Sequence, residues 1–469
     1  MKIKHHELEI QPDTPFANCK LERQQYAEVL TEIVELYSDG FVLAINNEWG
    51  TGKTTFVKMW QQHLKNNDFK TVYFNSWEND FDSNPLVAIM SELKPLINTK
   101  NKEVFKSVVN KGAVLAQNVL PAVIKAVAKK YIDVDEVSDA IENVTKGATQ
   151  IFEEEIKEYT NKKKSIVDFR KELEKFIKKT DSSKPLIFII DELDRCRPDY
   201  AVDVLEQMKH FFSVPGIVFV LSIDKNHLAS SVRGYYGSEN INTDEYLRRF
   251  IDLEYSIPLP SNQAFCNYLY EYYAFDDFFS SYERRKYTSL SDDGYLFVKI
   301  AEILFNKSNA TLRQQEKIFA HSRLILKSFN ANNYTFSHLL FFLIYIKNLN
   351  GKLYKDIETK SLTLQELSDA FADLMPPMDD DYNINLIYIQ ALLLVFYNNS
   401  FGRGRKDKLL KTDAGGGSKS TSITSKLENE TNKSLLMNCF DEIYYNRKFD
   451  DTSLVYLLNK INLTETLKV

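Results

Sequence analysis

The sequence predicts an α/β fold, with a mostly parallel sheet covered by helices on both faces, a helical insertion after the second strand and an all-α C-terminal region. Three observations carry this. Short, fully apolar runs alternate with stretches of helical periodicity, as expected of strands buried on both faces. The interval between the second and third runs is far longer than a crossover needs. From Asn262 onward the strand pattern fades and apolar residues recur at helical spacing.

The elements follow in order. Residues 40–46, GFVLAIN, read as the first strand, and residues 69–74, ending TVYF, as the second. Residues 86–179 are rich in Lys and Glu with apolar residues at helical spacing. Strand character returns at 186–190 (LIFII), at 216–222 (GIVFVLS) and at 253–257, with helix-like stretches at 201–212 and 226–235 between them. The boundaries are a core over 1–94 and 180–260, an insertion over 95–179, a helical domain over 261–400, a loop or linker over 401–434 and a C-terminal helical segment over 435–469. The linker carries GRGRK, AGGGSKSTSITSK and ENETNKS, a composition with little to bury. There is no internal repeat.

At 469 residues the chain has room for two or three domains and a large core. The 44% apolar and 26% charged fractions are ordinary for a soluble globular protein. Many of the 31 Phe and 26 Tyr lie beyond residue 260, which predicts a tightly packed helical second half. A net charge of −6 argues against a dedicated nucleic-acid binder, although a local basic groove stays open. Cys19, Cys196, Cys266 and Cys439 lack metal-ligand spacing and read as reduced thiols of a cytoplasmic protein. The charged N-terminus has no apolar signal region. The most lipid-like stretch, residues 113–128, holds Gln117, Asn118, Pro121 and Lys125 and is too short to span a bilayer. Residues 336–346 and 386–397 are also too short and read as buried core helices.

The first chemistry-bearing motif is Asn47-Glu48-Trp49-Gly50-Thr51-Gly52-Lys53-Thr54-Thr55, placed after the first strand and opening a helix-like stretch, 54–64. It approximates the phosphate-binding loop G-x-x-x-x-G-K-[ST]. Asn47 stands where the first Gly is expected; Asn tolerates left-handed backbone better than most residues. Gly50 and Gly52 let backbone N–H groups turn inward around phosphate oxygens, and the helix N-terminus adds its dipole. Lys53 is expected on the β- and γ-phosphates of ATP, and the Thr54 hydroxyl on Mg²⁺. A GKT triplet alone is weak; one between a buried strand and a helix is much stronger.

The second motif is the apolar strand LIFII running into Asp191 and Glu192. Asp191 is expected to hold the hydration shell of Mg²⁺, and Glu192 to orient and polarise the attacking water. Two acids at a strand end are by themselves better read as a solvated turn; the phosphate loop upstream tips the reading to catalysis. The fourth strand ends in Ser222, Ile223 and Asp224. Ser222 or Asp224 could sense the γ-phosphate there, and Asp224 could equally cap the next helix.

Arg248, Arg249 and Arg313 are candidate arginine fingers that would neutralise transition-state charge from the same chain or a neighbour. Each taken alone is more economically a surface or ion-paired arginine. Arg195 reads as an anchor of the acidic loop, and Arg323 follows the helix that carries Arg313. Trp49 is expected to pack under the loop or meet a partner, and Trp77 to pack in the core. Residues 15–23 are placed to line an adenine pocket. His5 and His6 have no third ligand in suitable spacing. The lysines at 125–130 and 162–164 lie near acids and read as solvated helix faces.

Taken together, NEWGTGKTT, FNSWE at 74–78, IDELDRCRP at 190–198, VLSIDKNHL and YLRRFIDLEYSIPLP at 246–260 resemble the KAP family of P-loop NTPases, with a weaker echo in TLRQQEKIF at 311–319. The resemblance covers roughly residues 16–260 and rests on the combination, not on one piece. It implies an ATPase of the additional-strand class with an insertion after the second strand. In the family that insertion often carries membrane-spanning helices; this one holds no credible span. Asn47 for the usual Gly and Glu192 for a second Asp are departures that leave Lys53, Thr54 and Asp191 in place.

The leading expectation is an ATP-driven switch or assembly ATPase, working as a homo-oligomer or with companion defence proteins. The link to bacterial antiviral defence rests on the resemblance alone. Two alternatives stand beside it: a nucleic-acid-remodelling or nuclease-loading ATPase, and a nucleotide-stabilised scaffold with little turnover.

Overall fold

The computed structural model describes residues 8–37, 40–81, 85–119, 148–180, 183–208, 214–375, 383–402, 406–412, 419–428, 434–446, 449 and 451–463. His5 and His6, the lysines at 125–130, residues 120–128 of the lipid-like stretch and the GGGS run at 415–418 lie outside them. The chain divides into two compact units, Glu7–Leu259 and, apart from the first six residues, Pro260–Val469.

The N-terminal unit is built on five parallel strands: β1 (Val42–Asn46), β2 (Thr71–Asn75), β3 (Leu186–Asp191), β4 (Ile217–Ile223) and β5 (Leu253–Tyr255). Their order across the sheet is β2-β3-β4-β1-β5. One strand, β4, is therefore inserted between β1, which runs into residues 47–55, and β3, which ends in the acids. Central strands β3 and β4 are buried at every residue, which explains why they read as unbroken apolar runs.

Side-chain alternation divides the core in two. Leu43, Ile45, Ile187, Ile189, Val218 and Val220 face one helical layer, made by α1 (Gln24–Leu36) and α2 (Lys53–Asn66). Their neighbours Val42, Ala44, Phe188, Ile190, Phe219 and Leu221 face the other. On the first face Trp60 is fully buried, and its indole N–H donates to Thr31 Oγ1 at 3.0 Å. The second face is covered by α3 (Pro85–Ser91), α4 (Lys102–Val119), α5 (Ala148–Lys178), α6 (Pro198–Met208), α7 (Lys225–Tyr236) and α8 (Thr243–Leu247). Helices α4 and α5 form the insertion. Phe105 and Phe176 meet between them with ring centroids 5.2 Å apart, so this interval adds apolar core to the sheet layer. No described helix is long and apolar enough to cross a membrane.

The C-terminal unit is helical, from α9 (Asn262–Tyr272) through α10 (Asp276–Phe279), α11 (Tyr282–Arg285), α12 (Asp293–Lys307), α13 (Leu312–Leu326) and α14 (Ser337–Leu349). Aromatic rings fill its centre: Phe297 lies 4.8 Å from Phe275 and 4.9 Å from Phe341. A buried ion pair, Arg284 with Asp293, is completed by Thr335, whose hydroxyl donates to Asp293 at 3.0 Å. Arg284 also donates to the Ala331 and Asn333 carbonyls at 3.0 and 2.9 Å. Residues 401–434, read from composition as a loop or linker, are mostly exposed where described but touch the helices at a few points. Leu409 and Ile423 are buried, and residues 411–412 pair antiparallel with 419–420.

His338, on the first turn of α14, is buried and lines a cavity of about 60 Å³ with Leu296, Ile300, Ile303 and Leu386. Neither ring nitrogen has a hydrogen-bond partner among the described residues. Burial lowers its pKa from 6.5 to about 4. Because the folded value is depressed, the neutral ring's contribution is present above pH 6.5 and is lost as pH falls through 4. The loss amounts to about 3 kcal/mol at most. Unfolding followed at pH 7.5 and pH 4.5 should show a smaller pH penalty for His338→Leu than for the unaltered chain. Equal penalties would refute it.

Candidate nucleotide site

β1 delivers the loop and α2 receives it. Gly50 and Gly52 both take φ of +81°, a conformation that side chains resist. A Cβ on Gly52 would also lie 3.0 Å from Arg23 Nη1. Asn47 does not adopt the left-handed backbone expected of it. Its amide instead clamps Ile257, just past β5, donating to the carbonyl at 2.8 Å and accepting from the N–H at 2.9 Å. Position 47 is thus a side-chain tie between loop and sheet edge, something glycine could not provide.

Lys53 is buried at the head of α2. Its ammonium donates to the carbonyls of Asn47 and, at 3.2 Å, Glu48. Burial lowers its pKa, while Asp194, Asp224 and Asp191 oppose the shift. Thr51 Oγ1 donates to the Glu48 carbonyl at 2.8 Å, closing the loop on itself. Thr54 and Thr55 follow on the first turn of α2, both half-buried.

The acidic end of β3 lies beyond β4, two strands from β1. Asp191 is buried; Oδ1 accepts from the Glu192 N–H at 3.0 Å and Oδ2 from the Tyr73 hydroxyl at 2.8 Å. Burial beside this carboxylate pushes the Tyr73 pKa up, so the hydroxyl stays a donor. Glu192 sits at φ +61°, a strained position for a side-chain-bearing residue. Its carboxylate pairs with Arg195 and accepts from Asn75 Nδ2 at 3.3 Å. Burial raises the Glu192 pKa and Arg195 opposes it. Arg195 therefore holds the acidic loop through Glu192 itself.

Ser222 is paired across the sheet with Asp191 on one side and Ile45 on the other. It is fully buried, and its hydroxyl has no partner among the described residues. Asp224 is the N-cap of α7, accepting from the Asn226 and His227 N–H groups at 3.1 and 3.3 Å. Its other oxygen accepts from the Trp49 N–H at 3.1 Å. The Trp49 indole donates to Asp194 and stacks on His227 with centroids 3.7 Å apart. Trp49 thus fastens the loop to the ends of β3 and β4. Trp77, expected in the core, is 55% exposed. The turn that carries it is organised by Asn75, whose Oδ1 accepts from the Trp77 N–H at 3.1 Å, so its backbone is held and its ring is not.

The arginines fall elsewhere. Arg248 and Arg249 are exposed in the turn between α8 and β5. Asp252, shortly after them, bonds to Val42 at the start of β1, whereas the loop leaves the far end of that strand. Neither side chain bonds to the loop among the described residues. Arg313 is exposed on α13 of the C-terminal unit, and Arg323 lies within the same helix, donating to the Tyr273 carbonyl at 2.9 Å.

Three site residues escape a reading of the sequence. Tyr73 steadies Asp191, and Asp194 accepts from Trp49. Arg23, expected only near a base pocket, is buried and donates to the carbonyls of Thr51 at 2.8 Å and Gly52 at 3.2 Å. Tyr73 was findable: it sits two residues before Asn75, hence on the same face of β2.

Among known proteins, the model of the KAP family P-loop domain matches residues 23–368. An uncharacterized protein of Methanocaldococcus jannaschii is 28% identical over 176 residues, which span 33% of this chain and 89% of that protein. A solved structure of the Aeropyrum pernix ORC2 protein, in ADPNP and ADP complexes, aligns with 90% of this chain and 95% of its own at 12% identity and a TM-score of 0.33. The family match begins at Arg23, whose side chain braces the loop, and runs through every strand of the sheet; the chain belongs to the KAP family of P-loop NTPases.

Proposed function

We propose that this chain binds ATP with Mg²⁺ at the loop of residues 47–55 and hydrolyses it, working as a nucleotide-dependent switch or assembly ATPase. The observation that supports this most is the register placing Asp191 beside Ser222 and Ser222 beside Ile45, one residue before the end of β1. It gathers the loop, the acids and a buried hydroxyl at one end of the sheet, where ligands of parallel sheets collect. The donors fit the metal. Thr54 and Asp191 offer hard oxygens, and Mg²⁺ usually takes only one or two protein ligands. When bound, the metal neutralises phosphate charge. The chain's own residues do the rest: the loop N–H groups and Lys53 hold the phosphates, Glu192 orients water and Ser222 lies within the γ-phosphate end.

One observation favours a slower variant of this reading, a nucleotide-stabilised scaffold. Glu192 is engaged by both Arg195 and Asn75, and a carboxylate so held is less available to a water. A role in bacterial antiviral defence, with a homo-oligomer or companion proteins as partners, is carried only by what the family resemblance implies.

The test is to measure ATP affinity, turnover and mass in solution with and without Mg²⁺. Lys53→Ala should weaken ATP binding about 10- to 100-fold through loss of charge-assisted hydrogen bonds. A change of mass with nucleotide supports the switch. Normal binding by Lys53→Ala would place the site elsewhere.

A further inference from the structure

We propose that Arg23 is a positioning residue of the phosphate loop, turning the N–H groups of Gly52 and Lys53 toward the nucleotide phosphates; this rests on the nucleotide-site reading above. The argument is one of peptide geometry. In a trans peptide the C=O of one residue and the N–H of the next point in opposite directions, and no described peptide is cis. Arg23 Nη2 holds the Thr51 carbonyl at 2.8 Å and Nη1 holds the Gly52 carbonyl at 3.2 Å. With both carbonyls turned to the guanidinium, the N–H groups of Gly52 and Lys53 point away from it, out of the opposite side of the loop. The Gly52 carbonyl also accepts from the Phe56 N–H at 3.1 Å, so α2 shares in aiming the Lys53 N–H; the Thr51 carbonyl, and with it the Gly52 N–H, is aimed by Arg23. One planar fork spans both peptides, which a single ammonium cannot match.

The surroundings say that the fork serves the loop. Arg23 is 4% exposed, and its Nε has no partner among the described residues. Its desolvated charge is therefore directed at two loop carbonyls. The backbone of Arg23 is occupied separately, accepting from the Tyr26 and Ala27 N–H groups at the start of α1. Gly52 fits the same design, because a side chain there would press on Nη1 at 3.0 Å. The guanidinium also sets a fixed positive charge behind the loop, in a site where preorganised charge acts strongly.

The experiment compares Arg23→Met, Arg23→Lys and Lys53→Ala by ATP titration, steady-state kinetics and melting temperature. Met removes the buried charge but leaves the Thr51 carbonyl without its partner, at a cost in stability. The expected result, read well below a modestly lowered melting temperature, is ATP binding at least tenfold weaker for Arg23→Met, and a smaller loss for Arg23→Lys, which can restore one bond. The rise should fall on KM more than on kcat. If Arg23→Met loses less than tenfold in ATP affinity while Lys53→Ala loses tenfold or more, the inference is overturned and the site reading stands. If Lys53→Ala also binds normally, the site reading itself fails. Should Arg23→Met not fold, Arg23→Lys decides: affinity equal to the unaltered chain overturns the inference.

Discussion

Glu192→Gln is expected to bind Mg²⁺-ATP with nearly unchanged affinity while turnover falls by about 100-fold or more, the usual contribution of a positioned general base. The substitution keeps length and shape. Its single amide oxygen can keep one of the two bonds, from Arg195 or from Asn75, and the NH2 then faces the other donor, so the acidic loop is held more weakly but still tied. What is lost is the charge that polarises water. Asp191 is untouched, because its contacts run to Tyr73 and to the backbone N–H of residue 192, which Gln retains. Single-turnover release of phosphate, measured beside equilibrium binding, separates the two quantities. Turnover unchanged within threefold would mean that Glu192 does not act on water and would favour the scaffold reading.

Asp293→Ala is expected to cost about 3 to 5 kcal/mol, the range for removing one partner of a buried ion pair. Arg284 is 1% exposed and would keep its charge with only carbonyls and a hydroxyl to solvate it. Thr335 would lose its acceptor as well. The penalty should appear as hydrogen exchange in α12 and α14 at much lower denaturant. Replacing both partners at once, Arg284→Met with Asp293→Leu, should recover most of it, because the uncompensated charge is what destabilises. A single-variant loss below about 1 kcal/mol would show that water reaches the pair.

Much of this architecture is legible in the amino-acid order because its signals are local. The unbroken apolar runs become β3 and β4, since strands buried on both faces need apolar residues on both; the edge strands β2 and β5 are partly exposed and read more weakly. The glycines and Lys53 are legible because phosphate binding demands backbone freedom and a cation at fixed spacing. What escapes depends on distance in sequence. Arg23 meets Gly52, and Tyr73 meets Asp191, only after the sheet has assembled. Asn47 misled because the residue type suggests a backbone role, while its side chain found the Ile257 peptide 210 residues away. Trp77 misled for the converse reason: an aromatic in a family motif suggests burial, yet its turn is held by its backbone N–H donating to the Asn75 side chain.

The left-handed backbone of Glu192, at φ +61°, carries a consequence for anyone improving this molecule. Asparagine or glycine is housed better at that dihedral than glutamate. A library screened for heat resistance alone would therefore enrich Gly or Asn at position 192, and the hardiest clones would be the idle ones. Screens should hold that codon fixed, and a gain in melting temperature at 192 would itself measure what the chain forgoes to keep an acid there.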